Sequence, residues 1–434
     1  MFKKDFIFGV ATSSFQIEGT HQKFKTLWDI DHTKIQDGAN GHIACDHVHL
    51  YESDISLIKQ LGVDAYRLSF SWARLQPTPD GFSKEGIQFY LNLLMSLKTQ
   101  GIKVSATLYH WDMPLWLYEK GFGFDNLDFP SYFLTYAKQA FELFDDYVFQ
   151  WTTINEPWCI SMVGYFFGNH APWIKDLNRA IRAQFVTLDA HQVVYHYYKK
   201  HFNKPMGIVL NLSHVYEASQ SEEDLLAKSY ADIFFNGMYL DPLFHGHYPE
   251  RYLKRLDELQ IDYSYITKEK CLNIKDSLDF LGINTYSHFI AAFDDTQPFL
   301  FKRAISAFPK TDMGWDVNPQ GLFDLIVNLR KNYPMIPVFI TENGSAFPDE
   351  IKRNRIKDRH RIDYLKSHLS VIEKLHETHH IDGYFAWSLM DNFEWAHGYH
   401  MRFGLVYVDF QTLKRTPKQS FKVYQKIIKK RTVK

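Results

Sequence analysis

Apolar positions along the chain fall into two kinds of run that alternate. Short, nearly continuous apolar stretches occur at 5–16 (DFIFGVATSSFQ), 65–72 (AYRLSFSW), 103–110 (KVSATLYH) and 148–157 (VFQWTTINEP). Four more follow at 206–215 (MGIVLNLSHV), 278–287 (LDFLGINTYS), 337–344 (PVFITENG) and 383–392 (GYFAWSLMDN). Their lack of strict alternation predicts strands buried on both faces, hence a parallel sheet with helical crossovers. Between them the spacing turns helical. Leu50, Ile55, Ile58 and Leu61 share one face of a segment that stops at Gly62, and a second such segment stops at Gly101. Ile362, Leu365, Leu369, Ile372 and Leu375 line another, and a last helix is expected over QSFKVYQKIIKK. Repeated strand–helix units of this kind predict an α/β fold. A closed (β/α)8 (TIM) barrel, one domain over residues 1–434, fits better than an open doubly wound sheet. Neither GxGxxG nor GxxxxGK(S/T) follows the first strand, which weakens a nucleotide-binding reading.

Composition narrows the function. The 49 basic and 50 acidic residues nearly cancel, so no basic footprint for nucleic acid is expected. No apolar stretch reaches transmembrane length, and the N-terminus MFKKDFIFGV passes into strand-like sequence rather than a signal peptide. Cys45, Cys159 and Cys271 form no CxxC pair and are odd in number, which predicts a reducing, cytoplasmic setting. No metal or other cofactor is expected: His110 stands alone on its strand, and His47 and His49 point to different helix faces. The cluster His376, His379 and His380 reads as a solvated helix end. The aromatic share of 17% suits a core, and it also suits a sugar site, where pyranose C–H faces stack on rings.

Chemistry is expected at the C-terminal ends of barrel strands. Those ends carry Gln16 and Glu18; Arg67, Ser69 and Trp72; His110, Trp111 and Asp112; Asn155 and Glu156. Further along come Asn211 and His214, Asn284 and Tyr286, Glu342 and Asn343, and then Trp387, Asp391, Asn392, Glu394 and Trp395. Any one polar strand exit is unremarkable, and Asn343-Gly344 alone reads as a turn. A rim made repeatedly of Trp, His, Asn and Glu is not what solvent-facing exits require. Glu156 and Glu342 end the fourth and seventh strands, so they would face each other across the barrel mouth. Paired carboxyl groups flanking a bond are the arrangement that cleaves a glycosidic linkage.

The blocks FIFGVATSSFQIEG, YRLSFSWARLQP, TLYHWDMP, TINEP, DFLGINTYS, FITENG and WSLMDNFEWAHGYHMRFGL cover essentially the whole chain in order. In them the sequence resembles the β-glucosidases of glycoside hydrolase family 1. The resemblance implies a retaining double displacement with Glu342 as nucleophile and Glu156 as acid/base. It implies that Asn155 binds the substrate 2-hydroxyl and that Arg67 and Tyr286 hold the nucleophile. Gln16, His110, Trp111, Trp387, Glu394 and Trp395 would grip the non-reducing sugar, with Phe403 in its wall. Retention requires carboxyl groups about 5–5.5 Å apart, and the charge on Glu342 would raise the pKa of Glu156.

The implied substrate is a small β-glycoside or oligosaccharide. Relatives acting on 6-phosphorylated sugars have Ser at the position of Glu394, beside a Lys; a carboxylate here would repel phosphate. β-Galactosidase or β-fucosidase activity stays open within the class, as does, from another class, a non-catalytic carbohydrate-binding barrel. Transglycosylation also stays open. The sequence departs from the family pattern at Gly121-Phe122-Gly123-Phe124, at Val48, and in a brief segment between Tyr286 and the next helix. These departures would bear on the side of the site that receives the leaving group. Oligomeric partners are not legible.

Overall fold

Eight strands close into one parallel barrel: β1 Ile7–Ala11, β2 Ala65–Ser69, β3 Lys103–Tyr109, β4 Gln150–Asn155, β5 Met206–Asn211, β6 Phe280–Asn284, β7 Val338–Asn343 and β8 Ile381–Trp387. Neighbours in sequence are neighbours in the barrel, and β1 closes it by pairing with both β2 and β8. Each expected apolar run supplies one strand, shorter than the run, because the polar residues at its end turn out of the sheet. The structure, a computed structural model, describes residues 2–352 and 355–431; the expected 1–434 extent includes residues 1, 353–354 and 432–434, which lie outside the described residues.

Helices cover the barrel where the periodicity places them. His47–Leu61 buries Ile55, Ile58 and Leu61 and leaves Leu50 half-exposed. It ends because Gly62 adopts the left-handed conformation (φ +80°), letting its N–H reach the carbonyls of Ile58 and Lys59. Lys84–Thr99 starts at Ser83, whose hydroxyl accepts from the Gly86 N–H. Arg359–Leu375 buries the whole predicted stripe from Ile362 to Leu375, and Gln419–Lys429 is the last helix. The histidine cluster divides, against expectation. His376 is buried against Phe2 and Phe6, with ring centroids 5.3 and 5.6 Å away, whereas His380 is exposed. No helix among the described residues is long and apolar enough to cross a membrane.

The pairing of two strands breaks near their C-terminal ends. On β7 the register slips between Ile340 and Glu342 against β6, and between Ile340 and Asn343 against β8. On β4 it slips between Thr152 and Asn155 against β5. Such irregularities re-aim the side chains beyond them. They fall on the two strands that carry the glutamates at their ends, Glu156 one residue past β4 and Glu342 next to last in β7.

Candidate active site

A cavity of about 330 Å³ opens at the C-terminal ends of the strands. Glu156, Glu342, Tyr286, His110, Trp111, Trp387, Glu394, Trp395 and Phe403 line it, so the rim expected from sequence is one site. Gln16, Arg67 and Asn155 sit immediately behind that wall, each at most 1% exposed, and hold it in shape. Trp72, Asp391 and Asn392 do not border the cavity. Trp72 stacks in the core on Tyr136 (4.5 Å), and Asp391 is buried against Lys418 and Arg402.

A continuous hydrogen-bond path joins the two glutamates. Arg67 pairs through one guanidinium nitrogen with Glu342 Oε1, and Tyr286 donates to Glu342 Oε2 at 2.6 Å. A second Arg67 nitrogen donates to Asn155 Oδ1 (2.7 Å), which also accepts from Asn284 Nδ2 (3.0 Å). Asn284 Nδ2 donates again to Glu156 Oε1 at 2.6 Å, and its carbonyl oxygen accepts from Thr341 Oγ1. The Asn155 amide nitrogen therefore faces His110 Nε2 (3.1 Å), which must accept and so carries its proton on Nδ1. Burial, reinforced by the Arg67 charge, holds His110 well below its usual pKa, so the ring is neutral.

The carboxyl groups are not electrostatic equals. Burial first, and the nearby charge of Glu342 second, push Glu156 up to about 7. Burial does the same to Glu394, helped by Glu342 and Glu156, to about 8. Near neutral pH Glu394 is therefore mostly protonated, and a standing negative charge there is not what would exclude a phosphorylated sugar. The exclusion has another source. Among the described cavity-lining residues, Arg303 is the only cation, and it lies at the exposed mouth. A phosphate beside Glu394 would be buried without a counter-charge.

Aromatic packing fixes the inner wall. Trp395 is stacked on Phe15 (5.7 Å, 5° between planes) and lies 4.8 Å from both Trp28 and Trp111. The Trp111 indole N–H is spent on the Asn155 carbonyl oxygen (2.9 Å), leaving its face to the cavity. Gln16 is similarly committed: its amide donates to Asn392 Oδ1, the Phe393 carbonyl and Glu394 Oε2, and its oxygen accepts from Ser13. Trp111, Glu156 and Trp395 all have positive φ (73°, 49° and 48°), a conformation L-residues adopt at a cost.

Sequence reasoning left out several cavity residues. Cys159, three residues beyond Glu156, donates its thiol to Glu156 Oε2 at 3.0 Å. Trp315 packs on Tyr286 and Phe403 from a loop with no recognisable motif. Asn284 was visible as a strand end, but not as the partner of Glu156. None of Gly121, Phe122, Gly123 or Phe124 lines this cavity, nor does Val48; Phe124 is core, against Phe129. Those departures do not touch the site, whereas the brief segment after Tyr286 does. Among the described residues, two sets of metal-ligand type come together within 4.8 Å, His21 with Asp46 and His49, and Asp29 with His32 and His42; neither borders the cavity.

Comparison with known proteins agrees with this geometry over the full length. Residues 1–433 match the model of glycosyl hydrolase family 1. The chain is 40% identical to β-glucosidase A of Acetivibrio thermocellus over 99% of this chain and 98% of that one. It is 38% identical to β-glucosidase A of Thermotoga maritima, again over 99% and 98%. The crystal structure of a β-glucosidase from Exiguobacterium antarcticum superimposes with a TM-score of 0.96 at 41% identity, covering 99% of this chain and 98% of that chain. With its closed barrel and its two glutamates at the strand ends, the chain is a glycoside hydrolase that belongs to glycosyl hydrolase family 1.

Proposed function

We propose that the protein is a retaining β-glucosidase that releases terminal non-reducing β-D-glucosyl residues from unphosphorylated glycosides. One observation carries the division of labour: two acids share a cavity in opposite surroundings. Both Glu342 oxygens are held by donors, Arg67 and Tyr286, which aim the carboxylate as a nucleophile. Glu156, pushed to about 7, keeps its proton for the leaving-group oxygen. Once Glu342 is glycosylated its charge is gone, the upward push on Glu156 falls, and Glu156 can take a proton from the attacking water. Asn155 keeps one amide hydrogen beyond the one given to His110, and we assign it to the sugar 2-hydroxyl. His110 and Glu394 would hold the remaining hydroxyls, with Gln16 holding Glu394 from behind and Trp111, Trp387, Trp395 and Phe403 as apolar walls. We place the protein in the cytoplasm, a reading supported by its three unpaired cysteines.

The test is stereochemical and covalent. Proton NMR of the first turnovers on 4-nitrophenyl β-D-glucoside should show the β-anomer of glucose before mutarotation. A 2-fluoro glucoside should label wild-type Glu342, and Glu342→Gln should neither label nor turn over. Glu156→Gln should lose about 10²–10⁴-fold on substrates with poor leaving groups, and azide, which needs no general base, should speed its turnover of the activated 2,4-dinitrophenyl β-D-glucoside, where breakdown of the glycosyl-enzyme limits the rate. Appearance of the α-anomer first, or equal labelling of the two variants, would overturn the assignment. Comparing kcat/KM on β-glucoside, β-galactoside, β-fucoside and 6-phospho-β-glucoside decides the sugar.

A further inference from the structure

The outer half of the cavity differs in kind from the inner half. Inside stand the acids, amides and tryptophans already described. Outside, the segment between Tyr286 and the helix Pro319–Asn332 contributes Ser287, His288, Arg303, Met313 and Trp315. Arg303 ends the short strand Phe301–Arg303, which pairs with Phe289–Phe293 in a small sheet standing beside the barrel mouth. Its guanidinium lies 4.6 Å from the centroid of the Phe289 ring, so the buried phenyl face fixes where the charge sits. Among the described residues the Arg303 guanidinium finds no hydrogen-bond or ion-pair partner. Asp316 is the carboxylate that acts on it electrostatically, and Asp316 is already engaged by Lys310 and by Ser306 Oγ (2.6 Å). A guanidinium that is oriented by a ring, borders a ligand cavity and keeps all of its donors is built to receive a planar anion.

We propose that Arg303 forms an anion subsite for the leaving group, making glucosides of carboxylate-bearing aglycones, such as carboxyphenols, preferred substrates. The inference rests on the β-glucosidase reading above and adds the substrate class to it. The cavity's size agrees: about 330 Å³ is near the small end for small-molecule sites and suits one sugar with a compact aglycone. The inner acids do not oppose an incoming anion strongly near neutral pH. Glu342 is paired with Arg67, Glu394 is mostly protonated, and Glu156 is near half-protonated. Phe235, which packs on Phe289 at 4.7 Å, and Trp158, 5.3 Å from Phe235, line the cavity next to Arg303 and offer apolar surface for an aryl ring, leaving the charged end to Arg303.

The experiment compares kcat/KM for 2-, 3- and 4-carboxyphenyl β-D-glucosides with that for their methyl esters, in wild type, Arg303→Met and Arg303→Lys. Using the ratio within each enzyme removes the different leaving-group abilities of acid and ester. Methionine keeps an apolar stem over Phe289 and removes only the charge and donors, and thermal unfolding checks that it folds. For at least one isomer the acid-to-ester ratio should fall tenfold or more in Arg303→Met, chiefly through KM. Lysine should restore part of it, and 0.5 M salt should erode the wild-type ratio. A ratio within twofold of wild type for all three isomers in Arg303→Met would overturn the subsite. Wild-type inactivity on 4-nitrophenyl β-D-glucoside would instead remove the β-glucosidase reading, and the subsite with it.

Discussion

Glu156 is raised to about 7 by burial and by the charge of Glu342, while two donors pull the other way. Asn284 bonds one of its oxygens, and the Cys159 thiol bonds the other at 3.0 Å. Cys159 remains a thiol because burial and the neighbouring Glu156 push its own pKa well above the usual value. Its S–H therefore stabilises the ionised form of Glu156, the form that serves as base. Removing that donor should make the acid form more persistent. In Cys159→Ala, the falling limb of kcat/KM against pH, near 7 in wild type, should move up by about half a pH unit. A purely structural cysteine would leave the limb in place and lower kcat/KM evenly at all pH values. Sequence could not reveal this contact. A cysteine three residues past a glutamate is ordinary, and only the backbone leaving β4, with Glu156 at φ +49°, turns the two side chains together. Arg67 and Tyr286 were legible because each lies in a recognisable block, Arg67 within β2 and Tyr286 just beyond β6.

Strands β7 and β8 show the same limit one level up. The apolar runs located all eight strands, since a barrel strand buried on both faces is forced to be apolar. What those runs could not convey is how the ends are tied. Of Asn343-Gly344, read from sequence as a turn, Asn343 is instead the last residue of the strand and Gly344 follows it. Asn343 donates to the Thr285 carbonyl (2.7 Å) and to the Tyr364 hydroxyl (3.0 Å), and Gly344 passes directly under β8. A Cβ on Gly344 would lie 1.8 Å from the Trp387 carbonyl oxygen, a backbone atom that cannot swing aside. Gly344→Ala must therefore separate the ends of β7 and β8, which carry Glu342 and Trp387. Displacement of reacting groups by about 1 Å can cost about 10²-fold in rate, and overpacking costs about 1–3 kcal/mol. The expected result is a kcat at least tenfold lower with a reduced melting temperature. Wild-type kcat and melting temperature together would show that the two strands do not approach so closely.

Over the whole molecule, three carboxyl groups converge on one cavity, and the fold bears the electrostatic consequence. Barrel and helices were legible in the sequence because periodicity follows burial, and the outer cavity wall from Ser287 to Trp315 was not, because loop geometry follows no period. The acids of the inner wall were legible singly; their mutual influence depends on distances that only the closed barrel sets. Burial, with Glu342 and Glu156 adding to it, takes Glu394 from an ordinary 4.5 to about 8. The sign of the linkage follows directly. Below pH 4.5 both folded and unfolded chains hold this proton, so Glu394 does not affect stability. Between 4.5 and 8 the unfolded chain has lost the proton and the folded chain keeps it, so rising pH favours unfolding. That slope is about 1.4 kcal/mol for each pH unit over which a single group is protonated in one state only. Glutamine keeps the neutral shape without the titration. The melting temperature of Glu394→Gln should match wild type at pH 4.5–5 and rise progressively above it up to about pH 8, then stay parallel. Thermal unfolding of both proteins across that range measures the gap, and a gap independent of pH would mean that Glu394 ionises as readily in the folded protein as in water.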